Sequence, residues 1–293
     1  MIFKSSKTFL ELIKFSHTVF ALPFALISAF LALNSTGVGI LSKSSGIMLG
    51  WIILAMIGAR SGAMGFNRLI DLKWDALNPR TANRPSVTGE ISQPRILMMV
   101  IFFFALLVFA AWNLNFLAFC LSPLAIFLVC FYSLTKRFTH YSHLFLGFAI
   151  GSAPVASWIA VTGEISFSSI LIGMSVLTWI AGFDVLYALQ DIDFDKKVGL
   201  HSIPVRFGIA KSLNISRLMH LVTIICWIIL AQLEPLNELY YIGVIICSGL
   251  LVWEHNLLRK DNLSKLNMAF FNMNAVISVT FFIALTLDLL VFK

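Results

Sequence analysis

Apolar runs of about 20 residues recur along the whole of this 293-residue chain. Each is long enough to cross the hydrocarbon core of a bilayer as a helix. The runs fall at residues 16–35, 46–70, 94–112, 114–134, 143–162, 167–190, 212–231, 237–257 and 269–291. Composition agrees: 59% of residues are hydrophobic and 12% charged, with mean hydropathy +0.91, against roughly 25% charged in globular chains. Continuous runs rather than short alternating segments argue against a membrane barrel. The expectation is an all-α membrane protein of about nine transmembrane helices. With no long Pro/Gly/Ser linker, residues 1–293 read as a single polytopic domain.

The formal charge of +7 does not indicate nucleic acid, because the cations follow topology. If the N-terminus is cytoplasmic, eighteen of the 21 Lys and Arg residues lie on the inside, from Lys4, Lys7 and Lys14 to Arg259, Lys260 and Lys265. Only Lys43 and Lys293 lie outside, and Arg60 sits within a span. This is a positive-inside pattern, which places the polar loops in the cytoplasm of a bacterial inner-membrane protein. The stretch FLELIK before the first span is expected to lie along the membrane surface. Cys120, Cys130, Cys226 and Cys247 fall in apolar spans without metal-site spacing and are expected to pack.

Two spans end in carboxylates that should not be there. Asn67, Asp71 and Asp75 close the second span, and Asp184, Tyr187, Asp191 and Asp195 close the sixth. Asp71 and Asp191 are 120 residues apart, as are Asp75 and Asp195, which suggests an internal duplication. Residues four apart share a helix face, so each pair points one way. Traced back along the same faces, Asn67, Met64 and Arg60 lead inward on one helix, and Tyr187 and Asp184 on the other. Burying such groups in lipid costs a few kcal/mol each, so the two stripes are expected to face each other and enclose a central cavity under a cytoplasmic polar cap.

Four carboxylates at one mouth repel each other unless cations lie between them. A set of oxygen ligands without histidine or cysteine selects a hard ion, and Mg²⁺ typically takes one or two carboxylates plus substrate phosphates. The surrounding arginines and lysines, among them Arg68, Arg80, Arg84 and Lys196, suit a polyanion, with Arg giving bidentate bonds to phosphate oxygens. Carboxylates, magnesium, basic residues and an apolar cavity together describe a site for a diphosphate on a hydrocarbon tail.

These motifs resemble those of the UbiA superfamily of intramembrane prenyltransferases. The matching residues are Asn67-x-x-x-Asp71-x-x-x-Asp75, Asp191-x-x-x-Asp195 and Tyr132-x-x-x-Lys136, with FALPFAL, N-P-R-T-x-x-R-P and G-L-H-S-I-P elsewhere. The resemblance is greatest to the branch acting on 4-hydroxybenzoate or a related aromatic acid in quinone synthesis. It implies nine helices around a cavity open toward lipid. It also implies Mg²⁺ held by Asn67, Asp71, Asp75, Asp191 and Asp195, a polyprenyl diphosphate as donor and an aromatic acid as acceptor. Candidate substrate-binding residues are Arg60, Asn67, Arg68, Arg80, Arg84, Tyr132, Lys136, Tyr187 and Lys196. An alternative acceptor is a dihydroxynaphthoate-type acid for menaquinone, which Gln190–Pro204 resembles slightly more.

Asp193 sits off the Asp191/Asp195 face and suits a solvated loop. His17, His220 and His255 are expected to be hydrogen-bonded packing residues, and His140, His143 and His201 to be solvated in or beside loops. Arg60 needs an anion, either Asp184 in a structural pair or the carboxylate of the aromatic acid. The rival of another class is a transporter or ion-binding protein. A cation pathway needs polar groups in both halves of the bilayer, and the outer ends of these spans are nearly free of charge.

Overall fold

A computed structural model describes residues 18–258 and 273–292. The segment FLELIK, His17 and the terminal basic residues discussed above lie outside these. The described residues form nine long helices: α1 Thr18–Ser35, α2 Lys43–Ile70, α3 Gln93–Trp112, α4 Phe116–Thr135, α5 Ser142–Thr162, α6 Phe167–Tyr187, α7 Ile203–Leu233, α8 Glu238–Leu257 and α9 Asn274–Val291. Two short helices, Leu72–Leu77 and Ile192–Val198, follow α2 and α6. Seven helical stretches are long and apolar enough to cross a membrane. The protein is therefore an all-helical integral membrane protein. Large apolar side chains such as Ile101, Phe102, Phe127, Ile245 and Trp253 face outward, as a lipid-facing surface requires and a water-facing one would not tolerate.

The helices start where local chemistry allows. Ser42, Asn115, Ser166 and Ser202 each accept a backbone N–H from the first turn of α2, α4, α6 and α7, satisfying donors that have no partner within the helix. The seventh helix departs from the expected 212–231 by starting at Ile203, and Gly208, at φ 74°, breaks it after its first turns. Helix α6 is the most enclosed element, with Val176, Trp179 and Ala181 fully buried. Its approach to α5 depends on paired glycines: a Cβ on Gly151 would lie 2.5 Å from the Gly173 carbonyl oxygen. In a membrane, where apolar attraction between helices is weak, such close backbone contact is a main source of association. This packing fixes α6 in rotation, and with it the direction of Asp184, Tyr187 and Asp191.

The two acidic ends are built alike. The helix breaks at Asp71 (φ −92°, ψ 4°) and, after a 3₁₀ turn over Ala188–Asp191, at Asp191 (φ −104°, ψ 5°). The shared-face reading takes each aspartate pair as helical, and the structure interrupts both helices at the inner aspartate. The Asp75 N–H still bonds the Asp71 carbonyl at 2.8 Å, so the four-residue relation survives the break. The matching torsions extend the 120-residue echo from sequence to backbone.

Candidate active site

A cavity of about 290 Å³ opens at the end of the bundle where both motifs lie. Its walls include Arg60, Met64, Asn67, Arg68, Asp71 and Asp75 from the first motif region, and Asp184, Tyr187, Asp191 and Asp195 from the second. Tyr132 and Lys136 complete it from α4 and its end, and Arg80 and Arg84 reach in from the loop after Leu77. Of the sequence candidates, only Lys196 is absent from the lining; it is exposed, as are Lys197 and Asp193.

Two carboxylates are clamped by arginine. Arg84 Nη1 donates to both oxygens of Asp75 at 2.6 Å, and Arg68 Nη1 lies 3.7 Å from Asp75 Oδ2. Arg80 gives Asp191 a bidentate pair, Nε to Oδ1 at 3.1 Å and Nη2 to Oδ2 at 2.6 Å. Asn78 adds a third bond to Asp191 at 3.3 Å, and Arg80 Nη1 donates to the Tyr187 hydroxyl at 2.8 Å. The other two carboxylates are held more loosely. Asp71 accepts from Asn67 Nδ2 at 2.9 Å and from Arg137 Nη2 at 3.4 Å. Asp195 is 2% exposed, and its Oδ2 has no hydrogen-bond partner.

Electrostatics follow from this crowding. Burial holds the Asp71 carboxyl above its ordinary range, Asp75 adds to the effect, and Lys136 and Arg137 oppose it. For Lys136, burial disfavours the ammonium, but Asp195, Asp184, Asp191 and Asp71 outweigh it and the net direction is upward. Lys136 therefore stays cationic at the centre of the acidic set.

The donor set fits a hard divalent ion. Among the described residues no three His, Cys, Asp or Glu side chains are grouped closely enough to hold a metal alone. Mg²⁺ does not need such a cage, since it takes one or two carboxylates and fills its shell with water and phosphate oxygens. The buried, unpartnered Asp195 Oδ2 is an oxygen of the kind such an ion would satisfy.

Deeper in the cavity the chemistry changes. Arg60 Nε is buried without a hydrogen-bond partner, and Arg60 forms no ion pair with Asp184. Asp184 instead pairs with His143, whose Nδ1 lies 2.7 Å from Asp184 Oδ2. His143, expected to be solvated, is fully buried, because the turn before α5 tucks it against α6 and the start of α7. Arg137 was also missed, although its place beside Lys136 at a basic span end was a usable signal. Beyond Arg60 a second apolar cavity of about 120 Å³ lies among α2, α3, α4 and α5, with walls that include Met56, Ala59, Val129, Ala149 and Ala153. Ala59 and Ala149 adjoin Arg60 and Ile150 of the first cavity.

Residues 21–276 match the model of the UbiA prenyltransferase family. The 4-hydroxybenzoate octaprenyltransferase of Tolumonas auensis is 32% identical over 221 residues, covering 74% of this chain and 76% of that protein. The enzyme of the same name from Marinobacter nauticus is 30% identical, covering 80% of each. The apo structure of a UbiA homologue from Aeropyrum pernix K1 superposes with TM-score 0.82 at 28% identity, over 93% of this chain and 98% of that one. A UbiA homologue from Archaeoglobus fulgidus bound to GPP and Mg²⁺ shares the fold, with TM-score 0.68 at 21% identity over 95% and 99%.

Proposed function

This chain belongs to the UbiA prenyltransferase family, and we propose that it transfers a polyprenyl group from its diphosphate to the ring of an aromatic acid such as 4-hydroxybenzoate. One observation carries the reading: a single cavity joins a carboxylate-and-arginine mouth to a deep arginine whose Nε has no partner, with apolar walls around both. The mouth suits a diphosphate, the deep guanidinium a carboxylate, and the apolar groove beyond it a hydrocarbon tail.

In this reading Asn67, Asp71 and Asp75 on one side, and Asp191 and Asp195 on the other, hold Mg²⁺. Bound there, Mg²⁺ would supply Lewis-acid neutralisation of the diphosphate and a template for it. Arg80, Arg84, Lys136 and Arg137 offset the negative charge that develops as the allylic C–O bond breaks. The clamps on Asp75 and Asp191 keep these arginines poised until a diphosphate competes for them. Arg68, Tyr132 and Tyr187 shape the same pocket, and Lys196, exposed outside it, has only a distant role. Met64, Leu146, Ile150, Ile180 and Phe183 keep water from the allylic cation. Arg60 binds the acceptor carboxylate and aims the ring at that cation. The groove at Ala59 and Ala149 takes the first units of the tail, and the lipid takes the rest.

Membranes containing the protein, supplied with a polyprenyl diphosphate and one acid at a time, provide the test. Mass spectrometry should find a C-prenylated 4-hydroxybenzoate. Product from a dihydroxynaphthoate-type acid alone would replace the acceptor, and no product from either would end the reading. The cation distribution further supports a cytoplasmic mouth in the inner membrane. Cysteines placed in residues 71–93, in a cysteine-silent background, should escape impermeant thiol reagents until cells are lysed; labelling of intact cells would reverse the orientation.

A further inference from the structure

Asp184 is an acidic residue inside an apolar helix, and the proposed chemistry leaves it without a task. Such residues are costly in a membrane and mark function by default. The Asp184–His143 contact is built from three elements. His143 begins α5, Asp184 lies on α6, and the Ile203 N–H at the start of α7 donates to His143 Nε2 at 3.4 Å. With Nε2 acting as an acceptor, the proton of the neutral ring resides on Nδ1, and the 2.7 Å bond runs from Nδ1–H to Asp184 Oδ2. The imidazole is fully buried, so it orients the carboxylate rather than exchanging protons with water. The Asp184 side chain keeps 20% of its surface open, and it lines the cavity. One oxygen is fixed by His143 and the carboxylate still faces substrate space.

Depth decides what it would meet there. By the 120-residue echo, Asp184 stands level with Met64, and Arg60 lies four residues deeper, about 6 Å along the helix axis. An aromatic acid whose carboxylate rests on Arg60 and whose ring points toward the mouth brings its para hydroxyl toward the level of Asp184. The motif carboxylates lie nearer the mouth, among the arginines.

We propose that Asp184, oriented by His143, is the general base that takes the phenolic proton of the acceptor. The inference rests on the aromatic-acid reading above. The O–H electron pair enters the ring, the ortho carbon forms the new C–C bond, and the allylic C–O bond breaks with its electrons leaving on diphosphate. The resulting dienone regains its aromatic ring when Asp184 returns its proton to the oxygen and the ring C–H proton passes to the departing diphosphate.

The experiment compares 4-hydroxybenzoate with 3-fluoro-4-hydroxybenzoate, whose phenol ionises more readily while one ortho carbon stays free. Asp184→Asn should lower kcat about 100-fold with the parent acid, the range of general-base contributions, and at least tenfold less with the fluorinated one. His143→Ala should reproduce part of the deficit, and His143→Asn, which keeps a side-chain N–H in place of Nδ1–H, should recover it. An equal deficit with both acceptors, no turnover with either, or an unchanged kcat in His143→Ala would overturn the role of Asp184. Failure of the unsubstituted protein to prenylate any aromatic acid would instead overturn the function on which it rests.

Discussion

The two acidic helix ends share a backbone break and a four-residue spacing, yet their carboxylates are restrained in opposite order. At the first end the outer residue, Asp75, is gripped by Arg84, and Asp71 is loosely held. At the second the inner residue, Asp191, is gripped by Arg80, and Asp195 Oδ2 has no partner. Both clamping arginines come from the loop that follows the first motif. After the second break, the short helix Ile192–Val198 supplies Lys196 and Lys197, which are exposed. A symmetric pair of acidic ends is thus served by an asymmetric set of cations, and Arg80 ties one half of the molecule to the other. Asymmetry continues below: the counterpart of Arg60, 120 residues on, is Ile180. The first motif region carries both the arginines proposed to meet the diphosphate and the proposed carboxylate anchor.

If both ends act together, removing a carboxylate from either should be equally damaging. Asp71→Ala and Asp191→Ala should each reduce turnover by about 1000-fold or more, since Lewis-acid and electrostatic stabilisation are lost together. Both variants should still insert in membranes. Substantial turnover by one of them would show that a single end suffices. The arginine asymmetry gives the next effect. Arg80→Ala should raise KM for the prenyl diphosphate about tenfold or more, as expected for one charge-assisted bidentate contact, with Arg80→Lys only partly restoring it. Equal KM values in wild type and Arg80→Ala would confine Arg80 to structure.

The deep asymmetry is tested by Arg60→Ala, which should raise KM for the aromatic acid about 10- to 100-fold while that for the diphosphate changes little. A phenol lacking the carboxylate should be nearly indifferent to the substitution. Equal loss for both substrates would remove Arg60 as the anchor. Smallest is Lys196→Ala, which should leave both KM values within about twofold, because exposed charges contribute little. A tenfold change would restore the symmetry that the two acidic ends lack.

Much of this was legible in the sequence because lipid imposes length and uniform polarity on every spanning helix. The spans, the paired aspartates and the shared face of Arg60 and Asn67 follow from that constraint, whereas Tyr132 and Lys136 were marked by the family resemblance. What was not legible depends on distant partners. Nothing local shows that Arg80 closes on Asp191, more than 100 residues away, or that the chain breaks at Asp71 through a single residue's torsions. His143 read as a solvated loop-side residue because its burial is created by α6 and α7. Asp184 was legible as an anomaly needing a partner, but Arg60 was the nearer candidate by polarity and His143 the one that packing brought within reach.

In the proposed mechanism both acidic ends hold divalent metal against one diphosphate. Mn²⁺ is a paramagnetic stand-in for Mg²⁺, and its binding can be counted by electron paramagnetic resonance with an unreactive prenyl diphosphate analogue present. Binding should strengthen with the analogue, be reduced in Asp71→Ala and in Asp191→Ala, and be abolished when both are replaced. Undiminished Mn²⁺ binding in the double variant would contradict that mechanism.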